Sequence, residues 1–303
     1  MRTALLRSLF VFVAALLACG DHTAPSSPSS SAALDGRTYI LKVPQGYDGS
    51  TRLPLVIATH GYAGSGSSVE SYFALDPVAD ERGFFVVYPD GTVDQAGHRF
   101  FNATDACCDF YGTGVDDVAF IGALIDHIES AYAIDRTRVY AVGYSNGGFL
   151  SYRLACDLSS RIAAIVSLEG AMWDDPSRCR PTDDVAVLEV HGSDDVVISP
   201  AGGDVVDSYP DRVYPPLAQT LGSWASFDGC PGTTVSWVEP GDIDSETSQA
   251  TQCQRWTGCR TDVELWMNQG GTHSPTLTSV WPVAIVDFLM AHAKSNTDAI
   301  AVH

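Results

Sequence analysis

From position 38 onward, short runs of β-branched and aliphatic residues alternate with longer segments in which apolar positions recur every three or four residues. The runs at 38–43, 55–59, 84–88, 138–142, 162–168, 185–190, 233–238 and 263–267 predict strands. Several are apolar at consecutive positions rather than alternate ones, the pattern of a strand covered on both faces. Helical periodicity falls at 68–81, 117–131, 147–155 and 281–293, with Asp116 or Asp117 as the N-cap of the second. Strand–helix alternation of this kind predicts an α/β fold built on a mostly parallel, doubly wound sheet. No internal repeat and no shift in composition divides it. Residues 36–296 are therefore expected to form one domain, with 297–303 as a tail.

Ahead of that domain the pattern changes. Arg2 and Arg7 precede an apolar run, Leu9 to Ala18, too short to span a bilayer and of the length of a secretory signal. The signal is expected to end at residue 18. Leu16-Leu17-Ala18-Cys19 resembles the lipobox of bacterial lipoproteins, which makes Cys19 the expected lipid-bearing residue; an ordinary cleaved signal with an incidental cysteine is the alternative. The stretch 19–35, rich in Ser, Pro and Ala, has too little apolar mass to bury itself and reads as a tether. The expected location is outside the cytoplasm, at the cell surface or beyond.

Composition adds limits. With 45% hydrophobic and 18% charged residues in 303, the chain can bury a large core, which excludes global disorder. A formal charge of −20 argues against nucleic acid, and against anionic membranes bound through a basic patch. A monomer is expected. Seven cysteines follow Cys19, and an exported chain favours disulfides over thiols. Cys156 with Cys179, and Cys230 with Cys253 or Cys259, are the expected pairs. Cys107 and Cys108 either close on each other or tie to distant partners, and the odd count leaves at least one cysteine over.

The candidate chemistry centres on Gly143-Tyr144-Ser145-Asn146-Gly147-Gly148, directly after one predicted strand and directly before a helix. A serine on so tight a turn is held in a strained conformation that needs small residues two positions either side, as Gly143 and Gly147 provide. The bland reading is a structural turn. The nucleophile reading adds that the Asn146 N–H, at the helix start, suits an oxyanion. Histidine is the natural base. His22 and His303 lie at the termini, His127 and His292 inside helices, His60 and His191 at strand ends, and His98 in a loop ahead of the nucleophile. His273, in a loop after the last predicted strand, has the chain order nucleophile–acid–histidine on its side. The acid is then expected after 185–190, at Asp195, with Asp194 as its competitor and a turn-shaping role for the other. The loop His60-Gly61-Tyr62-Ala63-Gly64 follows an early strand and offers the Tyr62 N–H as a second oxyanion donor. No lysine follows at phosphate-loop spacing, so a nucleotide site is not expected. Tyr62, Phe100, Phe101, Trp173 and Trp281 are candidate substrate contacts, with core or loop packing as the alternative for each.

Taken in order, His60-Gly61, Cys107-Cys108, Asp116-Asp117-Val118, Gly143 to Gly148, Ala155-Cys156, His191-Gly192-x-x-Asp195 and Gly271-x-His273 resemble the secreted α/β-hydrolase esterases of the polyhydroxybutyrate depolymerase and feruloyl esterase group, of carbohydrate esterase family 1 type. The likeness runs from about residue 38 to 293. It implies an α/β-hydrolase fold, Ser145, Asp195 and His273 as a triad, and ester hydrolysis with no cofactor and no metal. It further implies substrates among feruloyl or acetyl esters of plant polysaccharide, or short polyesters. A serine peptidase of the same fold, and a catalytically silent surface-binding protein, are the rival readings. One departure stands out: the group often carries Trp-Pro shortly after its Gly-His, whereas Ser274-Pro275-Thr276 follows His273 here, with Trp281 as a candidate replacement for that aromatic wall.

Overall fold

The computed structural model describes residues 29–205, 212–238, 241–247 and 249–295. The expected signal, Cys19 and the tail fall outside these. Ten strands form one sheet. In chain order they begin with β1 (Ser30–Leu34), β2 (Arg37–Lys42), β3 (Leu53–Thr59) and β4 (Phe85–Pro89). A two-residue hairpin, β5 (Thr92–Val93) with β6 (Arg99–Phe100), stands apart. The sheet continues with β7 (Ile134–Tyr144), β8 (Ala164–Leu168) and β9 (Ala186–Gly192). After a second small hairpin, β10 (Gly203–Asp204) with β11 (Val213–Tyr214), it closes with β12 (Thr234–Val238), β13 (Gln252–Trp256) and β14 (Val263–Asn268). The spatial order is β1-β2-β4-β3-β7-β8-β9-β14-β13-β12. From β4 to β14 every pairing is parallel; the two strands added at each end pair antiparallel.

Consecutive apolar residues in the central strands feed two cores. Leu55 and Ile57 point to one face, Val56 and Ala58 to the other, as the two-residue period of a strand requires. The first core is closed by α3 (Asp117–Ala131), α4 (Asn146–Asp157) and α5 (Leu217–Phe227), the second by α1 (Gly66–Phe73), α2 (Asp76–Arg82) and α6 (Val280–Met290). Asp116 caps α3, accepting from the Ala119 N–H at 2.9 Å.

Several expectations need correction. The single helix at 68–81 is two, because Pro77 lacks an N–H and would clash with a preceding turn; Ala74 turns left-handed (φ 50°) between them. Part of the tether is strand: residues 30–34 pair along their length with β2, since backbone hydrogen bonding to a sheet edge does not require apolar side chains. Helix α5 and strand β13 lie outside the expected elements. Ser, Thr and Gly dilute the helix signal of the first, and Gln252-Cys253-Gln254-Arg255 that of an apolar strand in the second. The disulfides are Cys156–Cys179, Cys230–Cys259 and the adjacent pair Cys107–Cys108. Cys253, the other option for Cys230, is buried outside these bridges.

Candidate active site

Strand β7 ends at Tyr144 and α4 starts at Asn146, so Ser145 alone turns the chain. It does so with φ 52° and ψ −115°, a region costly for any side-chain-bearing residue. The turn is tight enough that a methyl group at Gly147 would lie 2.3 Å from the carbonyl oxygen of Thr59 in β3, and one at Gly143 2.0 Å from that of Gly147. Ser145 is held by its N–H to the Leu168 carbonyl at 2.8 Å.

Two loops at the same end of the sheet bring partners to it. His273, beyond β14, sets Nε2 2.9 Å from Ser145 Oγ and Nδ1 2.7 Å from Asp195 Oδ2. Asp195, beyond β9, is buried, and its Oδ1 accepts the N–H groups of Val197 (2.7 Å) and Ile198 (2.9 Å). Burial works to raise this carboxyl, but the His273 hydrogen bond and charge, contact with Glu169 and the Ile198 N–H outweigh it and hold it below the usual carboxylate range. Asp194 is exposed and accepts from the Ser193 hydroxyl, so of the two aspartates only Asp195 meets the imidazole. The acid turn and the histidine loop are braced together: Asp194 N–H donates to Gly271 O at 2.9 Å, and Gly270 N–H to Ser193 Oγ at 2.8 Å.

The other histidines with described positions are engaged elsewhere. His60 is buried, with Nδ1 2.7 Å from Gly61 O and Nε2 accepting the Gly91 N–H at 2.9 Å. Burial pushes it down to about 4, which keeps it neutral. His127 packs edge-on against Tyr39, His292 faces Asp262, and His98 lies beside the Tyr62 hydroxyl. His191 sits under the triad between Glu189 and the Ile198 carbonyl.

Asn146 opens α4, where backbone N–H groups have no acceptor within the helix. Its side chain is wholly buried and clasps Phe101, accepting that residue's N–H at 2.7 Å and donating to its carbonyl at 2.8 Å. The loop after β3 lies against the turn: a methyl group at Gly61 would sit 3.0 Å from the Tyr144 ring and 3.4 Å from Ser145 Cβ.

Of the aromatic candidates Tyr62 lines an open cavity, and the other four call for a correction. Phe100, Phe101 and Trp281 are fully buried and Trp173 nearly so. Phe101 packs on His60, Trp281 on Phe73, and Trp173 near the guanidinium groups of Arg153 and Arg178. Their bulk fills cores rather than an open surface, and Trp281 belongs to the second core. The open cavity, about 260 Å³, is lined by Tyr62, Tyr72, Tyr144, Val69, Ser68 and Ser274 among others. Tyr144 packs 5.4 Å from the His273 ring and shares a 2.6 Å hydrogen bond with Ser274; Tyr72 donates to Pro275 O at 2.8 Å. Tyr144 adjoins the serine in sequence and was open to notice, whereas nothing in the chain marks Tyr72.

Among the described residues one cluster has metal-ligand character, Glu169, His191 and Asp195. Both ring nitrogens of His191 already face protein acceptors, which leaves no lone pair for an ion.

The sequence matches the family Esterase PHB depolymerase over residues 37–218. It is similar to feruloyl esterase C of Emericella nidulans (29% identity, 90% of each chain) and to a probable feruloyl esterase C of Aspergillus clavatus (30%, 90% of this chain and 89% of that one). A probable feruloyl esterase C of Aspergillus terreus is 32% identical over 61% of this chain and 64% of its own length. In fold the protein is similar to the acetyl xylan esterase of Aspergillus awamori (TM-score 0.64, 15% identity, 87% of this chain and 99% of that one). It also resembles an S-formylglutathione hydrolase of Agrobacterium tumefaciens (TM-score 0.56, 13%, 88% and 95%). The fold is thus that of the α/β-hydrolase esterases, in one domain. The protein is a carboxylic ester hydrolase, and the chain belongs to the Esterase PHB depolymerase family.

Proposed function

We propose that the protein hydrolyses feruloyl or acetyl esters of plant polysaccharide through an acyl-enzyme on Ser145. The observation that carries this is the unbroken relay Ser145–His273–Asp195, with contacts of 2.9 and 2.7 Å. His273 takes the hydroxyl proton as Ser145 Oγ attacks the ester carbonyl. The backbone N–H groups of Asn146 and Tyr62 receive the oxyanion. The imidazolium, steadied by Asp195, then gives its proton to the departing alkoxide. A water activated by the same nitrogen releases the acid and restores the serine. The tyrosine-lined cavity beside His273 favours an aromatic acyl group, and the names of the fungal relatives point the same way. Short polyesters are the alternative substrate, served by the same steps.

Three disulfides support an oxidising compartment and hence export. Lipid attachment at Cys19, a monomeric state, a polymeric substrate and independence from nucleic acid complete the proposal.

The test is hydrolysis of p-nitrophenyl esters of increasing acyl length alongside methyl ferulate, in wild type and Ser145→Ala. Ferulate and short esters should turn over in wild type alone. Turnover of aliphatic esters without ferulate would remove the feruloyl assignment. Equal rates in folded Ser145→Ala would remove the nucleophile.

A further inference from the structure

Beneath the triad lies a buried group of ionisable side chains whose protons can be counted. Glu169 directly follows β8, Glu189 and His191 belong to β9, Asp195 follows that strand, and Tyr152 comes from α4; all are at most 3% exposed. His191 Nδ1 is 2.7 Å from Glu189 Oε1, and its Nε2 is 2.8 Å from the Ile198 carbonyl. A carbonyl only accepts, so Nε2 carries a hydrogen, and one further proton lies between Nδ1 and Glu189. The other Glu189 oxygen accepts from Tyr152 at 2.9 Å. This pair is satisfied and neutral as a unit.

Glu169 is different. Its Oε1 accepts the Gly192 N–H at 2.9 Å, but Oε2 is fully buried and no donor is directed at it. His191 Nε2 is 3.2 Å away, yet its hydrogen is committed to Ile198. The remaining neighbour is the Asp195 carboxylate, which with His191 and Glu169 falls within one 4.8 Å cluster. Two adjacent carboxylates shut away from water do not both stay ionised. Asp195 has two N–H groups and an imidazole to steady its charge; Glu169 has one N–H. We propose that Glu169 is held as a neutral carboxylic acid whose Oε2–H donates to Asp195, making it a positioning residue behind the triad.

Further observations agree. Glu169 is not glycine, yet holds φ 58°, pinned by its own N–H to Val190 O at 3.0 Å, so the backbone is strained at the point that aims this side chain. Burial drives its carboxyl well up; the His191 charge opposes this, and the contact with Asp195 adds to it. The other titratable groups around it are Tyr72 from α1 and Tyr144 from β7, both kept neutral by burial, and Glu189.

This inference rests on the Ser145–His273–Asp195 reading, so one measurement is independent of turnover. Infrared difference spectra between wild type and Glu169→Gln should show loss of a protonated-carboxyl carbonyl band at neutral pH. In p-nitrophenyl acetate hydrolysis, Glu169→Leu should lower kcat roughly 10- to 100-fold with KM little changed, as expected for one lost hydrogen bond to a charged group. Its acid limb of kcat/KM should move to higher pH, because Asp195 without its donor holds the imidazolium proton more tightly. Glu169→Gln keeps both a donor and an acceptor and should rescue the rate, with the limb unmoved. A limb moved to lower pH in Glu169→Gln, or a carboxylate band lost in place of the acid band, would mean an ionised Glu169 and overturn the proposal. So would wild-type kinetics in Glu169→Leu. If that variant does not fold, the Gln variant and the spectrum decide alone. Absence of Ser145-dependent turnover, with the acid band present, would fault the triad reading and leave the protonation state standing.

Discussion

Gly147→Ala would test how closely the nucleophile turn is seated. The added methyl would lie 2.3 Å from Thr59 O and 2.7 Å from Thr59 Oγ1. Ordinary contact begins near 3.4 Å, so α4 and β3 must part by about 1 Å, because a carbonyl within a paired strand cannot rotate away. Overpacking of this kind costs about 1–3 kcal/mol, which at roughly 2–4 °C per kcal/mol lowers the melting midpoint by several degrees. The kinetic effect should be larger. Asn146, whose N–H receives the oxyanion in the proposed mechanism, is the adjacent residue and moves with the helix. A misplacement of about 1 Å at a reacting centre is worth roughly 10²-fold in rate. The assay is p-nitrophenyl acetate hydrolysis with kcat and KM resolved, beside a thermal melt of the same preparation. Loss should fall on kcat. Wild-type kcat in a variant that melts normally would show that the turn has slack, and the seating argument would fail.

Asp195→Asn should lower kcat by about 10⁴-fold through loss of the imidazole orientation, whereas Asp194→Asn, at an exposed side chain, should stay within a few-fold of wild type. Tyr72→Phe removes the 2.8 Å bond to Pro275 in the histidine loop; it should cost about 1 kcal/mol of stability and raise KM for methyl ferulate more than for an acetyl ester. Replacing both Cys156 and Cys179 by serine should cost about 2–4 kcal/mol, read as a lower denaturant midpoint, while the triad contacts remain. Asp228 is pushed up to about 7 by burial and then by Asp184, above its unfolded value of 3.8, so the stability it contributes is full below that value and lost as pH rises through about 7. Asp228→Asn should therefore melt several degrees higher than wild type at pH 8 and nearly level with it at pH 4; a constant difference across that range would refute the assignment.

The central strands were legible because they are covered on both faces: runs such as Leu55-Val56-Ile57-Ala58 have no amphipathic alternative. Legibility fell at the rim, where β1 and β13 are held by backbone pairing and carry few apolar residues. Ser145 was legible because its turn demands glycine at fixed offsets. His273 and Asp195 followed from chain order, but Asp194 and Asp195 are separated only by the fold, since successive residues in a turn point different ways. The aromatic candidates divide for a related reason: of the five, Tyr62 lines the open cavity. Aromatic residues in predicted loops look available, and only the packing shows that Phe100, Phe101, Trp173 and Trp281 face inward while Tyr72, on a helix, faces the cavity. The buried arrangement of Glu169, Glu189 and His191 lay beyond sequence altogether, because it depends on which oxygens lack a donor.

Strand β1 also bears on how the enzyme would stand on a membrane. It runs antiparallel to β2, which runs antiparallel to β4, so β1 points the same way as the central strands, toward the end that carries Ser145. Its first residue, Ser30, pairs with Leu41 and through it lies level with Val87, at the opposite edge of the sheet from β12. The chain thus joins the domain from behind the catalytic end. If Cys19 carries the proposed lipid, the leash to Ser30 would reach at most about 40 Å, shorter than a tether running to residue 35, and tension along it would turn the catalytic mouth outward, away from the bilayer.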